Sequence, residues 1–596
     1  MNWTIFFVIS VGVLLLAVTG ALLQGKTKYR HSRLLNPTKL IFVGVALSAL
    51  FLFIPVCYHA YGYEGGVETF LMSVYNTITI FVIGGDYAMV TESIAEAAPG
   101  IARCYSVMFA VLFVAAPVMT FGFVLSFFKN TSAYRRYISH FKSKVYIFSD
   151  LNEKSLTLAE SILENDKKAL LAFADVWDGE DKTDEDQIDR ARQLGAICFA
   201  TDILATNWRL HSKRSTINFF MIEDNQAENL ENALRIVENF KQRENTNLYV
   251  FSNQVESELL LTNLFNNDNS MKIRIRRINE VQSLVYRTLY EEGYEQIFAN
   301  AVPTQDGKQI HALILGMGHH GTEMAKALSW FCQMDGYRPL ITCVDLSEDA
   351  VDRFTSRCPE LMDPALNGHY DIPGEVRNHI QVYAGIDIDS CAFDELIGRL
   401  PPITYGFVAL GNDERNIAAA VKLRMLTRRH KDQPAIQAVV YNSEKREALS
   451  GIVNFKNQAY DIQFIGDMKT TCSEKVILGS DLEQKALQRH LKWGEERHFW
   501  QYDYNYRSSV ASAIHSHMKR KCGIPGAEKA PADRTPEERQ NIRILEHRRW
   551  NAYMRSEGYV YSGSNDKSSR DDMAKTHHCL VPFDELSAEE QAKDDD

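Results

Sequence analysis

The stretch Val67 to Tyr87, VETFLMSVYNTITIFVIGGDY, constrains this chain more than any other. Its apolar content suits a bilayer, yet it carries Ser73, Asn76, Thr77 and Thr79 and ends in Gly84-Gly85-Asp86. A spanning helix needs roughly 20 mainly apolar residues, and this segment reaches that length only when its polar residues are counted. Such a sequence fits a re-entrant hairpin, whose irregular backbone is tolerated at membrane depth only where protein buries it or water lines it. Three further stretches, Trp3 to Leu23, Leu40 to Tyr61 and Ile101 to Phe128, read as transmembrane helices.

Flanking charge sets the topology. Lys26, Lys28, Arg30, Arg33 and Lys39 lie between the first two spans, and Lys129, Arg135, Arg136, Lys142 and Lys144 follow the last. Tyr58 to Gly100 holds Glu64, Glu68, Asp86, Glu92 and Glu96 and neither Lys nor Arg. Basic flanks stay cytoplasmic, so an even number of crossings separates them and Val67 to Tyr87 enters and leaves from outside. A fourth full span is the alternative, and it would export the large soluble region. The first span lacks a basic n-region and a small-residue cleavage site, so it reads as a retained helix with its N-terminus outside, in an inner membrane.

The 596 residues carry a formal charge of -11, which excludes a general nucleic-acid binder. Ten cysteines are scattered without a CxxC pair or zinc spacing, so no metal site is expected and the bulk of the chain reads as a reduced cytoplasmic body. Cys57 and Cys104 fall near the outer helix ends, where a disulfide and two separate thiols both remain open. Pro117 and Gly122 interrupt the third span; Gly122 is a candidate gate hinge, with helix packing the alternative.

After residue 144 short apolar runs alternate with helical segments: Val145 to Phe148, Ala169 to Ala174, Ala196 to Ala200, Ile217 to Ile222 and Leu248 to Ser252. Continuous runs of this kind are buried parallel strands in a doubly wound, Rossmann-like α/β sheet. The order repeats over His311 to Leu328, Ile341 to Asp345, Ile380 to Asp389, Tyr405 to Ala420 and Ala435 to Ser443, which points to an internal duplication. Only the second copy carries Gly316-x-Gly318-x-x-Gly321 between strand and helix, with Asp345 ending the next strand. In that context Gly316 gives the turn, Gly318 admits a phosphate, Gly321 lets the helix close on the strand, and Asp345 can meet a ribose. The first copy has SDLNEKS there and is expected to be a scaffold or a non-nucleotide site.

Helix, re-entrant segment, helix and then α/β copies together resemble potassium channels with regulator-of-potassium-conductance (RCK) domains. The resemblance rests on GMGHHG, Cys343-Val344-Asp345, AGIDID and LGNDERNI, and it covers roughly Lys144 to Trp493. It implies a gating ring of four subunits, a potassium-type permeant cation and a nucleotide ligand (NAD, ADP/ATP or a nucleotide-derived second messenger), with Asp413, Glu414 and Asn416 joining the glycines and Asp345 at the site. It also implies a filter at Thr77, Thr79, Val82, Ile83, Gly84, Gly85 and Asp86. The alternation of Gly, aromatic, Gly is missing there, so potassium selectivity does not follow.

Beyond Trp493 the composition turns aromatic and charged. Thr535-Pro536-Glu537-Glu538 reads as a helix start with Thr535 as N-cap. The segments LEHRRWNAYM, GYVYSG and KTHHCLVPFDEL resemble the ryanodine-receptor repeat (RyR) domain, a small mainly helical ligand-sensing module. Tyr559 and His578 depart from that pattern. The resemblance implies a nucleotide pocket at Glu546, His547, Arg549, Trp550, Tyr559, Tyr561 and His577, although Trp550 and Tyr561 serve equally as module core. The expected organisation is a pore domain over 1-130, a linker over 131-144, α/β copies over 145-305 and 306-494, and an RyR-like domain over 495-596. The function expected is a homotetrameric ligand-gated cation channel in a lipid bilayer. The alternatives are a non-selective, messenger-activated pore of antiviral defence and a membrane-anchored NAD-dependent oxidoreductase, for which no catalytic constellation stands out.

Overall fold

The computed structural model describes residues 2-26, 37-62, 66-82, 84-139, 144-177, 184-210, 215-268, 270-367, 375-479 and 481-595. The chain divides into two compact units, Met1–Arg136 and Tyr137–Asp596.

In the first unit α1 (Trp3–Lys26), α2 (Pro37–Tyr61) and α5 (Ala102–Ser139) contain the three described windows long and apolar enough to cross a membrane, Trp3–Gly20, Ile41–Tyr61 and Ala102–Phe121. Between α2 and α5 lie α3 (Gly66–Phe81), 16 residues, and α4 (Tyr87–Ala97), 11 residues. At about 1.5 Å per residue neither is long enough to cross the roughly 30 Å of a hydrocarbon core. The polar residues of α3 turn inward, with Thr69, Ser73, Asn76 and Thr77 buried. Ser73 Oγ donates to the Thr69 carbonyl at 2.6 Å, Thr77 Oγ1 to that of Ser73 at 2.7 Å and Asn76 Nδ2 to that of Met72 at 2.9 Å. The helix thus satisfies its own hydroxyls, which makes them cheap to bury.

The expected filter segment is short. Thr79 Oγ1 donates to the Asn76 carbonyl, and the Thr79 carbonyl accepts from the Val82 and Gly84 N–H groups at 3.1 and 2.8 Å. Asp86 caps α4 by accepting from Met89 N–H at 3.0 Å. Val82, Gly84 and Asp86 are exposed, whereas a Cβ on Gly85 would lie 2.3 Å from Phe113 Cε1, so Gly85 is a packing glycine. Ile83 lies outside the described residues. The chain thus enters the helix α4 directly after Gly84 to Asp86. Pro117 sits inside α5 without ending it, Gly122 falls in the same continuous helix, and the side chains of 122-132 lie outside the described ones. Cys57 (buried) and Cys104 (exposed) are free thiols, which answers the open alternative against a disulfide.

The second unit contains two parallel sheets. β1 (Lys144–Phe148), β2 (Leu170–Phe173), β3 (Ile197–Cys198), β4 (Thr216–Met221), β5 (Thr246–Phe251) and β6 (Arg274–Ile278) lie in the order β3-β2-β1-β4-β5-β6. A hairpin strand β7 (Val302–Thr304) runs antiparallel to β8 (Gly307–Leu315) at the start of the second sheet. There β8, β9 (Tyr337–Val344), β10 (His379–Tyr383), β11 (Tyr405–Val408), β12 (Ala435–Val439) and β13 (Ile462–Ile465) take the order β10-β9-β8-β11-β12-β13. Both sheets repeat the doubly wound 3-2-1-4-5-6 order, as the duplication predicts. Phe173, Phe148, Phe220 and Tyr249 stack ring on ring across four strands of the first sheet, at 4.8 to 4.9 Å.

The remaining residues close on the second sheet. The helices Glu280–Gly293, Asp503–Lys521 and Pro536–Ser556 share one apolar core with β8, β9 and β11. No break in that core falls at residue 305 or 494. The helix Pro536–Ser556 opens with the expected capping box, Thr535 accepting from Glu538 N–H and Glu538 from Thr535 N–H. Buried ion pairs tie the C-terminal helices to the first sheet's β6 and the helix Val255–Asn267, to the second copy's helix His319–Phe331, and to each other. Arg277 pairs with Asp503 at 2.5 Å, Arg507 with Glu258 at 3.0 Å and with Glu557 at 2.6 Å, and Lys326 with Glu557 at 2.9 Å.

Candidate functional site

At the end of β8 Gly316 adopts φ +93°, and a Cβ there would lie 2.4 Å from the Ala409 carbonyl oxygen. A Cβ on Gly321 would lie 1.7 Å from the Gly316 carbonyl oxygen, whereas nothing lies within 4 Å of one on Gly318. Gly316 and Gly321 are thus demanded by the backbone, and Gly318 alone leaves room for a ligand at the start of the helix His319–Phe331. Asp345 is already engaged: Oδ2 accepts from Met317 N–H at 2.5 Å and Oδ1 from Ser347 N–H at 2.7 Å. A ribose hydroxyl would have to share or displace the first of these.

The LGNDERNI residues have framework partners. Asp413 accepts from the N–H groups of Tyr441 and Asn442, and Asn416 ties Leu410 N–H to the Val439 carbonyl, joining the ends of β11 and β12. Glu414 pairs with Lys445 on the surface. Burial drives His320 down to about 4, so this histidine in the first turn of the helix brings no charge to a phosphate near neutral pH.

In the first copy Asn152 closes a capping box in place of the glycine turn. Asp150, Asp175 and Glu223 gather nearby, and burial, reinforced by Glu228 and Asp150, pushes the Glu223 carboxyl up to about 9.

A cavity of about 560 Å³ lies in the C-terminal part. Glu546, His547, Arg549, Trp550 and His577 line it, as expected from sequence, together with Arg489, Lys492, Trp493, Tyr504, Lys567, Arg570 and His578. Tyr559 and Tyr561 do not: Tyr559 is buried with its hydroxyl donating to Asp572, and Tyr561 donates to Asn565 at the surface. The long helix Pro536–Ser556 brings Glu546, His547, Arg549 and Trp550 together, and β15 (Thr576–His577) adds His577 and leads into His578. The Trp550 ring meets His577 edge-on at 4.9 Å. His547 Nε2 donates to the Val581 carbonyl at 2.8 Å, and Nδ1 lies 3.3 Å from an Asp594 carboxylate oxygen.

Beneath the cavity sits a buried charge cluster. Glu546 accepts from Ser512 Oγ at 2.9 Å and pairs with Arg549 at 2.9 Å and Lys519 at 3.3 Å. Burial works against its charge, but Arg549, Lys519 and Arg489 outweigh that and hold the carboxyl well below the usual range. Glu546 faces three cations, with Glu590, Asp594 and Asp595 elsewhere on the lining, and Arg549 Nη1 is buried without a hydrogen-bond partner. Such a wall favours an added anion. Burial, helped by Arg489 and Arg549 against the pull of Glu546, drives Lys519 down to about 7. The unfolded chain holds this proton to pH about 10.4. The unfolded state thus binds the extra proton between about pH 7 and 10, and stability rises with pH across that window. Melting temperature is expected to climb from pH 7 to 9 in the native chain, and Lys519→Met should flatten that part of the climb.

Arg489, Lys492 and Trp493 were not expected at this site, because they precede the boundary drawn at residue 494. Lys567 and Arg570 sit in an unpatterned loop. The alternation of basic and aromatic residues in RHLKW was the one available signal.

No protein-family model matches the chain, and no curated protein matches it. Among solved structures, the crystal structure of a GsuK mutant aligns with a TM-score of 0.33 and 12% identity, covering 78% of this chain and 98% of that one. A superposition so loose decides neither fold nor function.

Proposed function

We propose that the chain is a ligand-gated cation channel, in which a nucleotide-type anion bound to an RyR-like module and RCK-like sheets biases a pore built by four copies. The observation that carries the reading is the C-terminal cavity, where Arg489, Lys492, Arg549, Lys567 and Arg570 surround Trp493, Trp550 and Tyr504. Guanidinium and ammonium groups suit phosphates, and aromatic faces suit a base. Volume supports it too, since ligand sites commonly run about 300-1,000 Å³. The Gly318 gap at the second sheet is a secondary nucleotide position. On the membrane side, the short helices α3 and α4 between two spans fit a hairpin that dips in from outside, with the soluble unit in the cytoplasm. Ligand gates the pore to the extent that it binds two conformations unequally. We assign the chain no enzymatic reaction.

One observation favours the second reading, a non-selective depolarising pore opened by a nucleotide messenger. Only Gly84 to Asp86 separate the turn after α3 from α4 among the described residues, too few for a ladder of ion-coordinating carbonyls of the potassium type. Reconstituted liposomes test both readings. Cation flux is expected on adding an adenine nucleotide such as ADP or NAD from the side of the soluble unit, with Arg549→Ala lowering the response. Near-equal potassium and sodium permeability selects the second reading. Absence of flux across a nucleotide panel, with bilayer insertion verified, would remove the channel reading.

A further inference from the structure

We propose that His577, His578 and Cys579, with Glu590 as fourth ligand, form a site for a divalent transition metal of the zinc class on the cavity wall. The three residues are consecutive and all buried, and one ligand atom from each lies within 4.8 Å of the others. Tetrahedral zinc bonds of about 2.0 Å to nitrogen and 2.3 Å to sulfur place ligand atoms roughly 3.3-3.8 Å apart. The set is about an ångström open, a distance that side-chain rotation covers.

A second, independent observation points the same way. His578 is 7% exposed, and neither of its ring nitrogens has a hydrogen-bond partner. A buried polar group left in that condition is costly, and native proteins seldom leave one unanswered. A metal ion answers the lone pair. Glu590 supplies the remaining donor: it lines the same cavity wall as the three, and its pairing with Lys593 at 2.6 Å is a contact that coordination would have to share. Two imidazoles, a thiolate and a carboxylate make a borderline-soft set that suits zinc or cobalt and not magnesium or calcium. Metal binding releases the thiol proton. The thiolate and Glu590 then balance the ion's two charges, so the filled site adds no net charge beside Lys567, Arg570 and Lys593.

His577 is the costliest ligand to recruit. Its Nδ1 accepts from Cys579 N–H at 3.1 Å. Coordination through Nδ1 takes that lone pair, and coordination through Nε2 moves the ring proton onto Nδ1, so either mode opens this contact. The filled site would join β15 to the helix Ala588–Lys593. The sequence shows no zinc spacing because these ligands are adjacent and the fourth lies 11 positions on, a pattern that only the turn after β15 makes useful. The metal site does not depend on what the cavity binds.

The test uses the full chain in detergent, stripped with chelator and titrated with Co(II), each variant first checked for an unchanged circular-dichroism melt. One Co(II) per chain with a sulfur-to-cobalt absorption band is expected. Cys579→Ser should retain the ion more weakly and lose that band, and His578→Ala should weaken binding on the order of 100-fold. The proposal fails if the native chain binds no more Co(II) than H578A/C579S, or if the band survives in C579S.

Discussion

Glu546→Gln is expected to be the most damaging single substitution in the C-terminal part. The carboxylate is the common partner of Lys519 and Arg549, and its loss leaves buried cations facing one another. Breaking a buried pair from one side costs about 3-5 kcal/mol. Hydrogen exchange should accelerate along the helix Pro536–Ser556, and thermal melting should begin earlier. The defect should also depend on pH. Lys519 needs little persuasion to lose its proton, given that burial already brings it to about 7. In E546Q it can do so entirely, and the deficit should shrink between pH 7 and 9. A deficit that stays constant over that range would mean that Lys519 is not the cation left exposed.

The second large effect concerns the glycine turn. Gly321→Ala drives a Cβ into the Gly316 carbonyl oxygen at 1.7 Å, a clash with backbone that no side-chain movement relieves. The loss should be at least about 3 kcal/mol and should appear as poor expression or an early melt of the second sheet. Gly318→Ala meets open space and is expected to fold normally. Any nucleotide that approaches this loop should nevertheless bind G318A less tightly. The pair therefore separates fold from binding. Normal folding in both variants would show that the helix His319–Phe331 does not sit as close to β8 as described.

Much of the fold was legible in the sequence, for identifiable reasons. Continuous apolar runs such as VYIF and INFFMI, short and rich in β-branched and aromatic residues, read as central parallel strands, and the repeat announced two sheets of matching build. The sixth strand of each sheet escaped because RIRRI and IQFI alternate polar with apolar residues. In RIRRI the reason is visible: Arg276 donates to Tyr506 and the Ile477 carbonyl, and Arg277 meets Asp503, so distant residues make a charged strand affordable. The half-length of Val67 to Tyr87 as a membrane segment was legible from Ser73, Asn76 and Thr77. The helix α4 that follows was not, because Asp86 as a cap and Asp86 as a filter residue read alike until the Met89 contact is known.

The candidate cavity was half legible. A single helix presents Glu546, His547, Arg549 and Trp550, and such neighbours in sequence stay neighbours in space. Arg489 and Lys492 arrive from a stretch some sixty residues earlier, and no local pattern links the two. Tyr559 and Tyr561 were expected on aromatic character alone, which serves a small core as well as a base-stacking face. Asp413 and Asn416 show the same ambiguity, since a polar residue at a strand's carboxyl end can bind a cofactor or lace the next strand.

The shared core behind the second sheet and the ion pairs among Arg277, Asp503, Arg507, Glu557 and Lys326 have a practical corollary. The last hundred residues are not a cartridge that can be snapped off or grafted elsewhere. A cut at residue 494 would strip a greasy surface and strand several charges, so truncated versions should precipitate and not merely go deaf to their signal. By the same logic, the helix that lines the cavity is packed into the very core that carries β8 into the glycine turn.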